Sequence, residues 1–213
     1  PRTFSSAASD VYKRQPVYDE FIKSFKSHVE AINVGDGLDS KSTMGPLVAD
    51  RRLEVMEDFI SDAISSGGEV ISGGGRGQSP GSFFEPTLIR DVPDTAKIMI
   101  EEPFGPVAPS ASFSSIDEII ERANSLPFGL ASYAFTSNPR TSQILKSEIE
   151  SGMLAINSMH IHSVETPFGG LKHSGYGYEG SIEGLEAFLV TKYSSEIYTC
   201  LLYTSPSPRD LAQ

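Results

Sequence analysis

The stretch Ile100-Glu101-Glu102-Pro103-Phe104-Gly105-Pro106-Val107 contains two carboxylates, one aromatic ring, one glycine and two prolines. Pro103 favours an extended backbone at Glu102, because a proline ring clashes with a helical residue before it. Gly105 and Pro106 then favour a turn directly after Phe104. The stretch therefore predicts a rigid loop that presents a carboxylate and a phenyl ring at fixed angles.

A carboxylate beside an aromatic ring suits a nucleoside-like ligand. The carboxylate of Glu102 can accept hydrogen bonds from both hydroxyls of a vicinal diol such as a ribose. The ring of Phe104 can lie against a flat heterocycle. The alternative is a proline-bounded entry into a strand, in which the glutamate only caps a neighbouring backbone group. This stretch alone leaves both interpretations open.

A second stretch, which is rich in glycine, helps to decide between these two interpretations. Thr166-Pro167-Phe168-Gly169-Gly170-Leu171-Lys172-His173-Ser174-Gly175 lies about sixty residues after the first and follows the strand-like run at residues 152–157. Shorter supporting phrases stand at residues 34–37, 44–47, 83–87 and 126–130. In order and spacing these motifs resemble the aldehyde dehydrogenase family, over roughly residues 16 to 196. Several linked motifs in one order are far more specific than any single one.

The pattern of elements and the resemblance agree on fold class. Strands that alternate with helices predict an α/β protein, and the resemblance implies the three-layer αβα sheet of the aldehyde dehydrogenase catalytic domain. Residues 16–188 are expected to form the carboxyl-terminal portion of that domain, and residues 189–198 an oligomerisation strand. Periodicity predicts helices at residues 18–32, 49–66, 115–124, 139–151 and 182–187, and strands at 69–72, 83–89, 107–113, 130–136, 152–157 and 189–193.

Both ends of the chain depart from this pattern. Residues 1–15 are rich in serine and alanine and then basic, and residues 199–213 have no motif. We expect both flanks to be non-native or disordered. The sole cysteine, Cys200, lies in the second flank.

Composition excludes several classes of partner. The net charge of −11 argues against nucleic acid and anionic membrane surfaces, which both require basic patches. No apolar run approaches the roughly 20 residues of a membrane span. A single cysteine excludes an internal disulfide framework and fits a reducing, cytoplasmic setting.

The resemblance assigns roles to individual residues. It implies that Glu102 binds the ribose hydroxyls of the nicotinamide half of NAD or NADP and that Phe104 packs beside the nicotinamide. Residues 158–166 correspond to the loop at the substrate entrance, and Phe168 to an aromatic that lines the tunnel. The loop is most similar to the succinate-semialdehyde dehydrogenase branch, which makes Ser163 a contact for the substrate carboxylate and His162 a neighbouring substrate-binding residue. The alternative is that Ser163 is an ordinary loop serine.

Two other motifs point to chemistry more weakly. Gly175-Tyr176-Gly177-Tyr178-Glu179-Gly180 matches the dinucleotide fingerprint, but it follows a loop instead of the strand that the fingerprint requires. His160 and His162 with Glu165 have a spacing that a metal could use, yet no further ligands cluster there. We expect tight turns at the glycines and no metal site.

In the family, a cysteine thiolate attacks the aldehyde, hydride passes to NAD(P)+, and water activated by a glutamate cleaves the thioester. The resemblance places both residues upstream of Pro16, so this chain carries no catalytic residue and is expected to be inactive alone. The expected intact protein is a homo-oligomer, dimer or tetramer, that oxidises a short semialdehyde such as succinate semialdehyde. The alternatives are an aromatic or aliphatic aldehyde as substrate, or a truncated, non-catalytic relative that acts in assembly or ligand binding.

Overall fold

The computed structural model describes residues 11–197. The strands are β1 (Val11–Arg14), β2 (Glu69–Ser72), β3 (Thr87–Arg90), β4 (Val107–Phe113), β5 (Phe128–Gly129), β6 (Ala131–Ala134), β7 (Met153–Ile156) and β8 (Leu171–Lys172). The helices are α1 (Gln15–Glu30), α2 (Arg51–Ser65), α3 (Lys97–Ile100), α4 (Ile116–Asn124), α5 (Pro139–Glu148) and α6 (Ser181–Glu186). The α/β class predicted from the sequence is confirmed.

The main sheet has four strands in the order β1-β4-β3-β2. Strand β4 pairs in parallel with β1 and β3, whereas β2 is antiparallel to β3. Successive side chains of a strand point to opposite faces of the sheet. Accordingly, Leu88 packs with the buried residues of α1, and its neighbour Ile89 packs with those of α2. The sheet therefore lies between α1 and α2, as the middle of three layers.

The other strands form two small sheets. Strands β6 and β7 pair in parallel, and α5 connects them. Strands β5 and β8 pair antiparallel through two residues each. Between residues 11 and 197 no hydrogen-bonded ladder joins either pair to the four-stranded sheet. The described strands thus form three sheets.

The amino-terminal boundary differs from the prediction that residues 1–15 lie outside the fold. Val11–Arg14 forms the edge strand β1, with Val11 opposite Ser110 of β4, and α1 begins at Gln15 with Pro16 in its first turn. Tyr12 packs against the core on the α2 side. The basic pair Lys13-Arg14 obscured this strand in the sequence, because charged residues are untypical of a buried sheet. The remaining residues of both predicted flanks, 1–10 and 199–213, lie outside the described residues.

The predicted carboxyl-terminal strand is not formed. Residues 189–197 contain no strand, and their side chains are exposed. A strand requires a hydrogen-bonded neighbour, and the described chain pairs this segment with none of its own strands.

No helix between residues 11 and 197 is both long enough and apolar enough to cross a bilayer.

Candidate functional site

The loop from Glu101 to Pro106, here the carboxylate loop, connects α3 to β4. The backbone N–H of Glu101 donates to the Lys97 carbonyl at 2.8 Å and closes α3. At the other end, the Thr87 N–H donates to the Pro106 carbonyl at 2.7 Å, which ties the loop to β3. Both ends are therefore fixed by backbone hydrogen bonds, as expected for a rigid loop.

Phe104 has an unusual backbone and an exposed side chain. Its φ angle is 44°, in the left-handed region that residues other than glycine rarely adopt. Its ring is 64% exposed, although the preceding Pro103 is buried. Glu102, on the other side of Pro103, is half-buried. The loop thus presents a phenyl face to solvent two residues away from a carboxylate, the pair that the sequence predicts to bind cofactor.

Helix α2 contacts this loop at two points. The guanidinium of Arg52 donates a hydrogen bond to the Pro103 carbonyl. One helical turn later, Met56 is fully buried, and its sulfur lies so close to Gly105 that a Cβ at that position would overlap it. A side chain at position 105 would therefore force the buried Met56 side chain to move, so close packing favours glycine there.

The predicted substrate residues lie on the segment after β7. Asn157 ends that strand with a φ of 57°, and its amide group bonds both backbone groups of Thr136, at 2.8 and 2.9 Å. The Ser163 backbone N–H donates to the Thr166 hydroxyl at 2.9 Å, forming a local turn. A hydrogen bond from the Ser163 side chain lowers the pKa of Glu165. The hydroxyl predicted to contact a substrate carboxylate therefore lies beside an anionic group of its own loop.

Two of the predicted substrate residues are in direct contact. The rings of His162 and Phe168 meet edge to face, with centroids 5.2 Å apart and planes at 84°. Phe168 exchanges two backbone hydrogen bonds of 2.7 Å with Glu179, which fixes its position relative to the glycine-rich turn. His162 and Phe168 thus form one aromatic wall, with Ser163 next to it in sequence.

Two polar side chains of the glycine-rich stretch at residues 166–175 connect it to the rest of the fold, and neither was predicted as a functional residue. Ser174 is buried, and its hydroxyl accepts a 2.8 Å hydrogen bond from the Gly129 backbone. The Lys172 ammonium donates to the carbonyls of Asn124 and Leu126 at 2.9 and 3.2 Å. Ser174 thus attaches the motif to β5, and Lys172 attaches it to the turn between α4 and β5. A polar residue within an apolar, glycine-rich loop is the only sequence signal for such an anchor.

The glycine-rich motif at residues 175–180 forms turns. Gly175, Gly177 and Gly180 all have positive φ angles. The preceding strand β8 has only two residues, unlike the strand that a dinucleotide fingerprint requires. No group of three or more His, Cys, Asp or Glu side chains suited to a metal ion occurs among residues 11–197. His162 instead packs on Phe168.

The carboxylate loop has the chemistry to hold one end of a dinucleotide. A carboxylate accepts from ribose hydroxyls, and an exposed phenyl face packs on the nicotinamide ring. The described residues that could take these roles are Glu102 and Phe104. The electropositive groups that a pyrophosphate needs are not part of this loop, which is acidic. The loop therefore fits the nicotinamide-ribose half of NAD or NADP.

Comparison with known proteins gives the same family from sequence and from structure. A sequence model of the aldehyde dehydrogenase family matches residues 4–194. A Sinorhizobium fredii protein named "Probable succinate-semialdehyde dehydrogenase [NADP(+)]" is 42% identical over 187 residues, which are 88% of this chain. The glutarate-semialdehyde dehydrogenase of Pseudomonas aeruginosa is 40% identical over 186 residues, 87% of this chain.

A solved structure is also similar. The crystal structure of succinate-semialdehyde dehydrogenase from Burkholderia pseudomallei aligns with a TM-score of 0.83 and 35% identity over 85% of this chain. The chain spans 38% of the length of each of these three proteins. A family model that covers nearly all of the described residues and a shared fold at this identity lead to one conclusion: the chain belongs to the aldehyde dehydrogenase family.

Proposed function

We propose that this chain is part of an NAD(P)+-dependent dehydrogenase that oxidises a short semialdehyde, such as succinate semialdehyde, to its carboxylic acid. The observation that carries the proposal is the carboxylate loop, in which Phe104 presents an exposed ring beside the half-buried Glu102. Similarity to enzymes named for succinate and glutarate semialdehydes supports the substrate class.

The residues of this chain act on binding and orientation. Glu102 accepts hydrogen bonds from the ribose hydroxyls, and Phe104 limits the positions that the nicotinamide ring can take. When bound, NAD(P)+ supplies the hydride acceptor. Held geometry of this kind lowers the entropic cost of reaching the reactive arrangement. The family's nucleophilic cysteine and general-base glutamate are assigned to other parts of the protein, and Cys200 lies outside the described residues.

At the other end of the site, the loop around Ser163 contacts the substrate. A hydroxyl donates to the distal carboxylate of a semialdehyde, and the wall of His162 and Phe168 borders its short apolar chain. The Ser163 hydroxyl donates a long hydrogen bond to the Thr166 hydroxyl at 3.4 Å, and Glu165 of the same loop is anionic, so a substrate carboxylate has to compete for the Ser163 hydrogen. This competition favours a substrate whose carboxylate gains further partners from the rest of the enzyme.

The surface and the composition support a proposal about assembly and cellular setting. We infer a homo-oligomer in the cytoplasm, because apolar side chains stand exposed at the end of the chain and the cysteine content is typical of a reducing compartment. The exposed side chains, here the carboxyl-terminal apolar segment, are Phe188, Leu189, Val190, Tyr193 and Ile197.

A chimaera tests the proposal directly. The aligned region of the Sinorhizobium fredii relative is replaced by the corresponding residues of this chain, and NADP+ reduction is followed with succinate semialdehyde. We expect turnover, and we expect Glu102→Gln to raise the KM for NADP+ by about tenfold to a hundredfold, because one charged acceptor is lost.

The matched control is Glu101→Gln, which makes the same charge change at the exposed neighbouring carboxylate. Equal coenzyme KM values for the two variants would contradict the role of Glu102. A chimaera that folds and binds NADP+ but does not turn over would favour the non-catalytic interpretation of this chain.

A further inference from the structure

Arg52 contacts the carboxylate loop at its most constrained point. Its guanidinium donates to the Pro103 carbonyl across 51 residues of sequence. That carbonyl belongs to the same planar peptide unit as the Phe104 nitrogen. Fixing the carbonyl therefore fixes one side of the φ rotation at Phe104, the residue whose φ of 44° is otherwise unfavourable.

The same face of α2 supports the loop a second time. Met56 lies four residues after Arg52, one helical turn away, and its sulfur packs under Gly105. The two contacts bracket Phe104, one at the residue before it and one at the residue after it. A single helix face thus determines the backbone on both sides of the exposed ring.

Arg52 is not needed to hold α2 in the fold. The helix buries five apolar side chains, Leu53, Met56, Phe59, Ile60 and Ala63. Two ion pairs also connect the helix to the rest of the chain, one between Glu57 and Arg76 and one between Asp58 and Lys97. The Nε atom of Arg52 is buried without a hydrogen-bond partner among the described residues, which costs free energy. The side chain is therefore a poor stabiliser of the fold, and its hydrogen bond to the Pro103 carbonyl acts on the loop.

We propose that Arg52 is a positioning residue for the coenzyme: it locks the Pro103–Phe104 peptide, and Met56 supports Gly105, so that Phe104 and Glu102 are held ready for the nicotinamide ribose. The proposal rests on the assignment of the carboxylate loop to NAD(P)+ made above. Nothing in the sequence signals it, because the contact joins residues far apart in the chain.

The first test requires no coenzyme. Hydrogen exchange is measured by mass spectrometry on peptides that cover residues 101–107 of the 213-residue chain, with and without Arg52→Met. We expect exchange in this loop to accelerate by about tenfold to a hundredfold, since a charged hydrogen bond is lost, while exchange in α2 stays unchanged. Methionine also removes the unpartnered Nε, so overall unfolding should be little affected.

Three further variants make the result specific. Arg51→Met removes the adjacent exposed arginine and should leave loop exchange unchanged. Arg52→Lys keeps one charged donor and should restore part of the protection. Gly105→Ala displaces the loop from Met56 and should accelerate exchange in the same peptides, which keeps the proposal testable even if Arg52→Met fails to fold. Unchanged exchange in a folded Arg52→Met chain would overturn the proposal, as would equal acceleration in Arg51→Met. If Arg52→Met does not fold, unchanged exchange in Gly105→Ala overturns it.

A double-mutant cycle in the chimaera links positioning to coenzyme. If Arg52 acts through the loop, Arg52→Met should raise the KM for NADP+ about tenfold, and the double variant with Glu102→Gln should be no worse than Glu102→Gln alone. If Glu102→Gln has no effect, the coenzyme assignment is wrong, and the exchange results still decide whether Arg52 fixes the loop. If Glu102→Gln weakens binding and Arg52→Met does not, the positioning role is wrong.

Discussion

At the scale of single residues, the sequence predicts some features of the carboxylate loop and not others. The loop of Glu102 and Phe104 was predictable, because Pro103 and Gly105 determine local backbone geometry. The left-handed φ of Phe104 and the support from Arg52 were not, since both depend on a helix that lies about fifty residues earlier. Local propensity can predict a turn, whereas a partner from a distant element can be found only in the folded chain.

Ser163 provides a prediction at this scale. In the chimaera, Ser163→Ala should raise the KM for succinate semialdehyde by about tenfold, because a hydroxyl that donates to the substrate carboxylate is removed. The KM for hexanal, which has no carboxylate, should be unchanged and serves as the internal control. Steady-state kinetics with both aldehydes provide the measurement. Equal changes for the two substrates would assign Ser163 to the structure of its loop alone.

At the scale of elements, the amino terminus of α4 is capped by the serine that its sequence indicates. Residues 115–118, Ser-Ile-Asp-Glu, have the sequence of a capping box, and the Ser115 hydroxyl accepts from the Glu118 backbone at 3.1 Å, as that motif requires. The return bond differs, because the Glu118 carboxylate accepts from the backbone and hydroxyl of Ser114 at 2.9 and 2.5 Å. The short elements α3, β5 and β8 had no comparable signal, since four residues or fewer show no period.

The cap of α4 should make stability depend on pH. The pKa of Glu118 is lowered, chiefly by the Ser114 hydroxyl, then by the Ser114 N–H, and further by Arg122. A lowered folded-state pKa stabilises the protein above the unfolded pKa of about 4.3, and this stabilisation is lost as pH falls through the folded value. Glu118→Gln should therefore reduce the free energy of unfolding near neutral pH, and the difference from the parent chain should shrink below about pH 4.

Urea unfolding of the 213-residue chain near neutral and at acid pH measures this difference. Glu121→Gln, at an exposed position on the same helix, is the matched control. A difference between Glu118→Gln and the parent chain that stays constant with pH would show that the carboxylate charge does not stabilise the cap.

At the scale of the whole molecule, the α/β class was predictable because strands alternate with helices along the chain. The order of the three layers was also predictable, because successive side chains of a strand point to opposite faces of the sheet. The division into three sheets was not, because sheet membership depends on which strand edges meet. The carboxyl-terminal segment was predicted as a strand from its apolar residues, yet a strand also needs a partner edge, and within the described chain this segment has no paired strand. Composition predicts that a segment will be buried, but it does not specify the partner.

That segment should drive assembly. Val190 and Tyr193 are 92% and 88% exposed, which is unusual for apolar side chains unless they meet another surface. We expect Val190→Asp to shift the chimaera towards smaller species, because a buried unpaired charge opposes association. Sedimentation equilibrium gives the mass, and Ser194→Asp, at an exposed polar position nearby, is the control. Equal masses for Val190→Asp and the parent would exclude this segment as an interface.

The hydrogen bond from Arg52 to the Pro103 carbonyl also bears on the order of folding. Contacts between residues far apart in sequence form only after the intervening chain has been organised, since loop closure costs entropy before such contacts form. The intervening residues include the rest of α2 together with β2 and β3, which are two of the four strands of the main sheet. The carboxylate loop should therefore reach its final shape among the last events of folding. Coenzyme would then be recognised only by molecules in which α2, β2 and β3 are already in place.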